Sequence, residues 1–294
     1  METLYQSDLR DVPLHSRGKV RDIYDLGNYL LIVATDRLSA FDVVFPNPIP
    51  VKGIVLTQLS KFWFEQTSGI AENHLISADV NEFPKEVQRY REILRDRSML
   101  VKKTIPLKAE CVVRGYLDGS AYKDYLATGE TSGVKFPEGM KQRDKFPEPL
   151  FTPATKAESG HDINISFEEV KSLIGEDTAE LVRSRSLDLY NFAHDMLLPK
   201  GLVLSDTKFE FGEIDKKIIL IDECLTPDSS RFWIKDSYIP DAEAISLDKQ
   251  YVRSFLEETD WDKTPPAPSL PSEVVKNTTA KYMAVYELIT GEKI

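Results

Sequence analysis

Val203-Leu-Ser-Asp-Thr-Lys-Phe-Glu-Phe-Gly212, followed shortly by Ile221-Asp-Glu-Cys-Leu-Thr-Pro-Asp-Ser-Ser-Arg-Phe-Trp233, puts charged groups where a folded protein would rather place apolar ones. Alternate residues of a strand face opposite sides. Val203, Phe209 and Phe211 alternate with Asp206, Lys208 and Glu210, so the three charged residues share one face and the two phenylalanines the other. Gly212-Glu-Ile-Asp-Lys-Lys217 reads as a hairpin turn, with Ile218-Ile-Leu-Ile-Asp222 as the return strand. A turn centred near Asp215 makes opposed residue numbers sum to about 430. That register sets Asp222 across from Lys208 and puts Leu220 on the charged face. Such a cluster is either a solvated face with ordinary ion pairs or a site for a hard divalent cation. Magnesium takes carboxylate oxygens and completes its shell with water and phosphate. A lysine among the acids offsets their repulsion and can hold a phosphate as a point charge. The apolar return strand favours the metal reading, because a face shared with Leu220 is not simply bathed in water.

The 294 residues, 41% of them hydrophobic, suffice for a substantial core, and more naturally for two lobes than one. No stretch approaches the ~20 apolar residues of a membrane helix. Residues 1–8 lack the basic start and apolar run of a secretory signal. Two cysteines, Cys111 and Cys224, cannot build a disulfide framework, so a reduced, cytoplasmic protein is expected. A net charge of −11 argues against nucleic-acid binding but not against an anionic small ligand. His15, His74, His161 and His194 have no metal-ligand spacing, so no zinc site is expected.

Early strands and later helices suggest an α+β protein rather than strict βαβ alternation. Arg17–Tyr24 and Tyr29–Ala34 form a hairpin across Gly27-Asn28, with Lys19 and Arg21 on one face of a strand that begins at Gly18. Leu56, Leu59, Phe62 and Trp63 recur at helical spacing, as do Val87, Tyr90 and Leu94. Strands over 98–106 and 109–114 meet across Pro106, the expected border between lobes: a β-rich lobe at 1–108 and a larger α/β lobe at 109–294. A helix runs from Gly119 to Gly129, 133–164 reads as loop, and Ser166-Phe-Glu-Glu169 is a capping box. A longer helix over 178–198 shows Leu181, Leu189, Phe192 and Met196 on one face. Helices near 241–258 and from Ser272 to about Gly291 close the chain.

Three further constellations could bind anions. Gly18-Lys-Val-Arg21 lets backbone approach a phosphate with two cations beside it. Arg114, then a Gly-bracketed turn, then Ser120 at a helix start can receive an anion on free backbone N–H groups. Asp228-Ser-Ser-Arg231 can bring Arg231 beside the acidic hairpin, while Phe232-Trp233 belongs to the core. The polar stretch at 150–162 contains Lys156 and Asp162 without periodicity, and functional residues concentrate in such loops.

In this order, these segments resemble the phosphoribosylaminoimidazole-succinocarboxamide synthase, or SAICAR synthetase, family. The match runs through Gly18–Tyr24, Ala34–Asp42, Glu110–Arg114, Gly119-Ser120, Thr155-Lys156, His161-Asp162, Leu204–Gly212, Asp222-Glu223 and Pro227–Arg231, and so covers roughly residues 15 to 235. The resemblance implies a two-lobed fold related to protein kinase and ATP-grasp folds, with an N-terminal antiparallel β lobe over ATP. It implies a ligase that joins carboxyaminoimidazole ribonucleotide (CAIR) to L-aspartate, with ATP and Mg²⁺, to give SAICAR, ADP and phosphate. It assigns Glu210 and Asp222 to the metal, and Asp206 and Lys208 to the reacting carboxylate and γ-phosphate. Lys19 and Arg21 would cover the ATP phosphates, and Leu107 and Lys108 would meet the adenine. Arg114, Ser120 and Arg231 would hold the ribonucleotide phosphate, and Lys156 and Asp162 would make further substrate contacts. Some members have lysine where this chain has Arg21, whose planar fork meets phosphate oxygens differently. For aspartate, only the loop around Asp36, Arg37 and Ser39 is offered. A monomer or weak homo-oligomer without nucleic-acid or membrane partners is expected. A kinase-like phosphotransferase would use the same metal hairpin, but neither a His-Arg-Asp nor an Asp-Phe-Gly triplet is present. A non-catalytic nucleotide sensor would have no need of a complete acid set.

Overall fold

The structure, a computed structural model, describes residues 3–156, 163–242 and 244–294. β1 (Leu14–Arg17), β2 (Arg21–Asp25) and β3 (Tyr29–Ala34) are successive antiparallel strands, followed by a small ribbon of β4 (Ser39–Ala40) and β5 (Val43–Val44). Then come α1 (Lys52–Gln66), β6 (Leu75–Ser77), α2 (Lys85–Gln88), α3 (Arg91–Leu94) and β7 (Ser98–Lys102). The first sheet has the order β1-β2-β3-β7-β6. Gly18–Val20 is a turn between β1 and β2, not the start of a strand, and the Gly18 N–H donates to the Arg21 carbonyl at 2.8 Å. Lys19 therefore sits at a turn tip. The helix expected around Val87–Leu94 breaks into the two short helices α2 and α3.

The second sheet starts with β8 (Ile105–Tyr116), which carries Pro106 inside it. After it come α4 (Gly119–Thr128), β9 (Glu130–Thr131), β10 (Val134–Lys135), β11 (Lys145–Phe151), β12 (Ala154–Thr155), α5 (Phe167–Ile174) and α6 (Glu176–Leu197). β13 (Leu202–Ile214), β14 (Lys217–Ile221), β15 (Ser230–Ile234), α7 (Gln250–Glu257) and α8 (Ser272–Thr290) complete the chain. The sheet runs β11-β8-β13-β14, with β12 also on β8 and β15 also on β13. The stretch expected to be loop thus contributes β11. Its prolines at 147 and 149 lack an N–H, and its pairing with β8 is interrupted between Lys145 and Leu150. The Ser166 capping box is present.

Two helix expectations need correction. α6 buries Ala179, Val182, Ser186, Leu189, Ala193 and Leu197, whereas Leu181 and Phe192 are each 37% exposed. Small residues let the helix approach the sheet closely, so the large apolar ones mislead about its inner face. The helix expected over 241–258 is only α7.

The central hairpin is present with a register one residue away from the expected one. Glu210 opposes Ile221 and Ile214 opposes Lys217. Asp215 and Lys216 both have positive φ, 49° and 62°, which makes a two-residue loop of the type that matches strand twist. A one-residue shift moves a strand's side chains to the other face. Leu220 accordingly opposes Phe211 in the core, not the charged face. Asp222 lies just past β14 with φ 68°, and this left-handed turn returns its carboxylate to the charged side. Phe209 and Phe211 are buried as expected; Val203 is buried in a separate cluster because β13 has an irregularity between Leu204 and Asp206.

One core unites the two sheets. Ile32 of β3 and Trp63 of α1 share it with Phe209 of β13 and Tyr282 of α8. Glu72–His74 ties the sheets directly: the Leu220 N–H donates to the Glu72 carbonyl at 2.8 Å, and the His74 N–H to the Leu220 carbonyl at 3.0 Å. The His74 imidazole is buried at this seam, and burial pushes its pKa down to about 4 from the usual 6.5. Below pH 6.5 the unfolded chain gains a proton that the folded chain refuses until pH falls to about 4. Stability is therefore lost as pH falls through that window, by about 2 kcal/mol at pH 5. Thermal unfolding midpoints measured between pH 7 and pH 5 should fall further for the wild type than for His74→Gln.

Candidate active site

Two cavities join along the charged face of β13. The smaller, about 370 Å³, is lined by Arg114, Ser120, Asp206 and Arg231 among others. The larger, about 570 Å³, is lined by Lys19, Arg21, Lys156, Glu210, Asp222 and Glu223. Glu110, Lys208, Asp228, Lys249 and Arg253 line both.

In the smaller cavity, Arg114 and Arg231 converge on one oxygen of Asp206, Arg114 at 2.6 Å. Arg114 also donates to Thr152 Oγ1 at 3.0 Å and to Ser120 Oγ at 3.1 Å. Asp206 thus serves as a clamp between two guanidinium groups. Burial pushes the pKa of Arg114 down, and Asp206 opposes that shift. Gly119 opens α4 with φ 59°, and a Cβ there would lie 2.2 Å from Arg231 Nη2. Glycine at this position both permits the backbone turn and leaves room for the guanidinium.

At the junction, Lys208 Nζ lies 2.5 Å from Glu110 Oε1 and 3.6 Å from Glu210 Oε1. Burial alone would lower its pKa, but Glu210 and Glu110 more than offset this and raise it, so Lys208 is an ammonium. In the larger cavity Arg21 pairs with Asp222 and with Glu223, the latter at 2.7 Å. Lys156 pairs with Glu210, and Lys19 with Asp42. Burial raises Asp222, yet Arg21, Lys208 and Lys156 prevail and hold it below the usual carboxylate range. Glu223 goes the other way: burial raises its pKa and prevails over Arg21.

Other expected residues stand apart. Leu107 and Lys108 line neither cavity; the Lys108 carbonyl accepts from the Lys156 N–H at 3.3 Å. Asp162 and His161 lie outside the described residues. Asp36 and Arg37 are buried and bound within the protein. Asp36 accepts from Arg97 at 3.0 Å and from the Gly53 N–H at 2.9 Å. Arg37 donates to the Gly18 and Lys19 carbonyls, each at 3.0 Å, and so braces the β1–β2 turn. They form no aspartate cradle; of the three residues offered only Ser39 reaches the larger cavity, with Ala40, Phe41 and Asp42 beside it.

Sequence reading missed Lys52, Lys249 and Arg253. Lys52 is fully buried and pairs with Asp228 at 2.7 Å; Lys249 meets the same oxygen at 3.0 Å, and the Tyr282 hydroxyl donates to the other at 2.7 Å. Lys249 and Arg253 are four residues apart, a spacing that puts them on one helical face, and this was the available signal.

The sequence matches the SAICAR synthetase family over residues 14–268. The chain belongs to the SAICAR synthetase family. A phosphoribosylaminoimidazole-succinocarboxamide synthase of Geotalea uraniireducens is 55% identical over 287 residues, 97% of each chain. Its counterpart in Thermodesulfovibrio yellowstonii is 54% identical over 286 residues, covering 97% of this chain and 98% of that one. The solved SAICAR-synthase from Saccharomyces cerevisiae complexed with SAICAR has a TM-score of 0.90 at 42% identity over 99% of both chains. A SAICAR synthetase (Type-2) in complex with ADP has a TM-score of 0.70 at 26% identity, covering 95% of this chain and 98% of that one. The α+β, two-lobed SAICAR-synthase-like fold is thereby established for this chain.

Gly119→Ala should push Arg231 out of the smaller cavity. Steady-state kinetics should show a KM for the ribonucleotide raised about tenfold, as for loss of one charge-assisted contact, with the KM for ATP little changed.

Proposed function

We propose that the two joined cavities divide the substrates of a ligase. As a member of this family the chain is an ATP-dependent carbon–nitrogen ligase, joining CAIR and L-aspartate to give SAICAR in purine biosynthesis. The larger cavity, under the β1–β2 turn, takes the ATP phosphates, with the N-terminal lobe, residues 1–108, which holds the whole first sheet, covering ATP. The smaller cavity takes CAIR, with its 5′-phosphate on Arg114, Ser120 and Arg231. The observation that carries this reading is the shared wall: Lys208 and Glu110 line both cavities, so a carboxylate in one can meet a γ-phosphate in the other.

A carboxylate is a poor acyl donor. In the reaction we propose, an oxygen of the CAIR carboxylate attacks the γ-phosphorus and ADP leaves. The aspartate amine then attacks the acyl carbon, its nitrogen gives up a proton to the departing phosphate, and the C–O bond to phosphate breaks. Such transfers are accelerated mainly by positioning and by neutralising charge. The Lys208 ammonium is held between two carboxylates at the meeting point and would offset charge on the transferring group. Lys19 and Arg21 would cover the phosphates. Asp206 would act by fixing Arg114 and Arg231, and Lys156 would bridge from the loop to Glu210. Leu107 and Lys108 would approach the adenine by their backbone.

The donor set fits magnesium. Glu210 and Asp222 present carboxylates to the larger cavity, and magnesium needs only one or two, taking phosphate and water for the rest. When bound, magnesium would neutralise phosphate charge between ATP and these two side chains. Cys111 and Cys224 are unpaired and buried, and burial pushes Cys111 up to about 12. Their thiols are therefore inert, and a reducing cytoplasm suits them. No helix among the described residues is long and apolar enough to cross a membrane.

An ADP-release assay with ATP, Mg²⁺, CAIR and L-aspartate, omitting each in turn, tests the reading; a stable phosphorylated product would overturn it. Glu210→Ala and Asp222→Ala should each abolish turnover at saturating Mg²⁺ while circular dichroism stays near wild type. Arg231→Ala should raise the KM for the ribonucleotide far more than that for ATP, and equal effects would refute the division of the cavities.

A further inference from the structure

Arg253 differs from the other cations around the cavities. Each of the other lysines and arginines lining them has a carboxylate partner: Lys208 has Glu110, Lys249 has Asp228 and Arg231 has Asp206, for example. Among the described residues, Arg253 has no ion pair and its side chain has no hydrogen bond within the protein. It is half-buried on α7 and lines both cavities at once. Burial pushes its pKa down and nearby Arg231 adds to this, while Asp248 and Asp206 act against the shift from a distance without pairing with it. An arginine does not lose its proton in a protein. A desolvated charge without a partner is costly, and an anion brought into the cavity relieves that cost.

We propose that Arg253 holds a carboxylate of L-aspartate. This rests on the division of the cavities given above. The phosphates of ATP and of the ribonucleotide have their own cations, at Lys19 and Arg21 and at Arg114 and Arg231. The acyl carbon must lie where the cavities meet, and the attacking amine must come within about 3–3.5 Å of it. Both carboxylates of aspartate lie within a few bonds of that amine, so a cation shared by the two cavities is within their reach. The planar guanidinium fork matches a carboxylate in two parallel hydrogen bonds. The same pairing would favour aspartate over neutral amino acids of similar shape, because an amide cannot supply the charge.

Kinetics of Arg253→Gln and Arg253→Lys, with each substrate varied in turn, test this. Arg253→Gln should raise the KM for L-aspartate about tenfold or more, the loss of a charge-assisted pair, with the KM values for ATP and CAIR within about twofold. Wild type should discriminate against L-asparagine and L-isoasparagine, and Arg253→Gln should lose its discrimination against one of them, which identifies the carboxylate held. An unchanged KM for aspartate would overturn the proposal, and so would a rise confined to ATP or CAIR. Should Arg253→Gln fail to fold, Arg253→Lys keeps the charge but not the fork and should still raise the KM for aspartate alone. Absence of aspartate-dependent ADP release in the wild type would instead overturn the underlying reading of the cavities.

Discussion

The β13 strand must bury Phe209 and Phe211 on one side while Asp206, Lys208 and Glu210 lie half-enclosed on the other. Those charges cannot stay unpaired in a low-dielectric wall, since each would keep most of its desolvation cost. Much of the surrounding architecture supplies their partners. β8 brings Glu110 to Lys208 and Arg114 to Asp206, β15 brings Arg231 to Asp206, and the stretch after β12 brings Lys156 to Glu210. Apolar replacement of such pairs is often neutral or stabilising, so stability alone does not account for so many. They make sense as a set of charges held ready for polyanionic ligands.

Two hubs set how this wall is positioned. Asp206 holds Arg114 and Arg231 from neighbouring strands, so the spacing of the two guanidinium groups is fixed by one carboxylate. Asp228 collects Lys52 of α1, Lys249 before α7 and the Tyr282 hydroxyl of α8. Burial would raise the pKa of Asp228, but the two lysines dominate and hold it well below the usual carboxylate range. A helix of the N-terminal half, the last helix of the chain and the wall of the cavities are thus pinned at one side chain.

Local pattern revealed the parts of this protein that period and turn chemistry control. The alternation at 206–211 gave the charged face, the Ser166 capping box gave the start of α5, and Gly129 gave the end of α4. The register of the β13–β14 hairpin was off by one residue because the turn centres between Asp215 and Lys216, not on Asp215. That shift would have turned Asp222 away from the charged face, yet its left-handed backbone brings it back, a detail no alternation rule contains. α6 was misphased because its inner face mixes alanine and serine with Val182, Leu189 and Leu197, which weakens its hydrophobic signature, while Leu181 and Phe192 lie outside it. The segment at 145–151 looked like loop because its prolines weaken the very pairing that defines a strand.

The last sixty residues carry no recognisable motif, and their role becomes legible only in three dimensions. Their function is set by where α7 and α8 dock, and docking depends on partners far away in sequence. α8 packs Tyr282, Val285 and Ile289 into the core that also holds Trp63 of α1 and Leu220 of β14. α7 buries Val252 and Leu256 against Phe45 and Ile49 from the loop after β5. That second contact fixes the rotation of α7: with Val252 and Leu256 turned inward, Lys249 and Arg253 face the cavities. The apolar stripe of a short helix therefore determines where two of its cations point. A segment without a recognisable motif can complete the wall of both cavities in this way, because packing on one face leaves the neighbouring face no other direction.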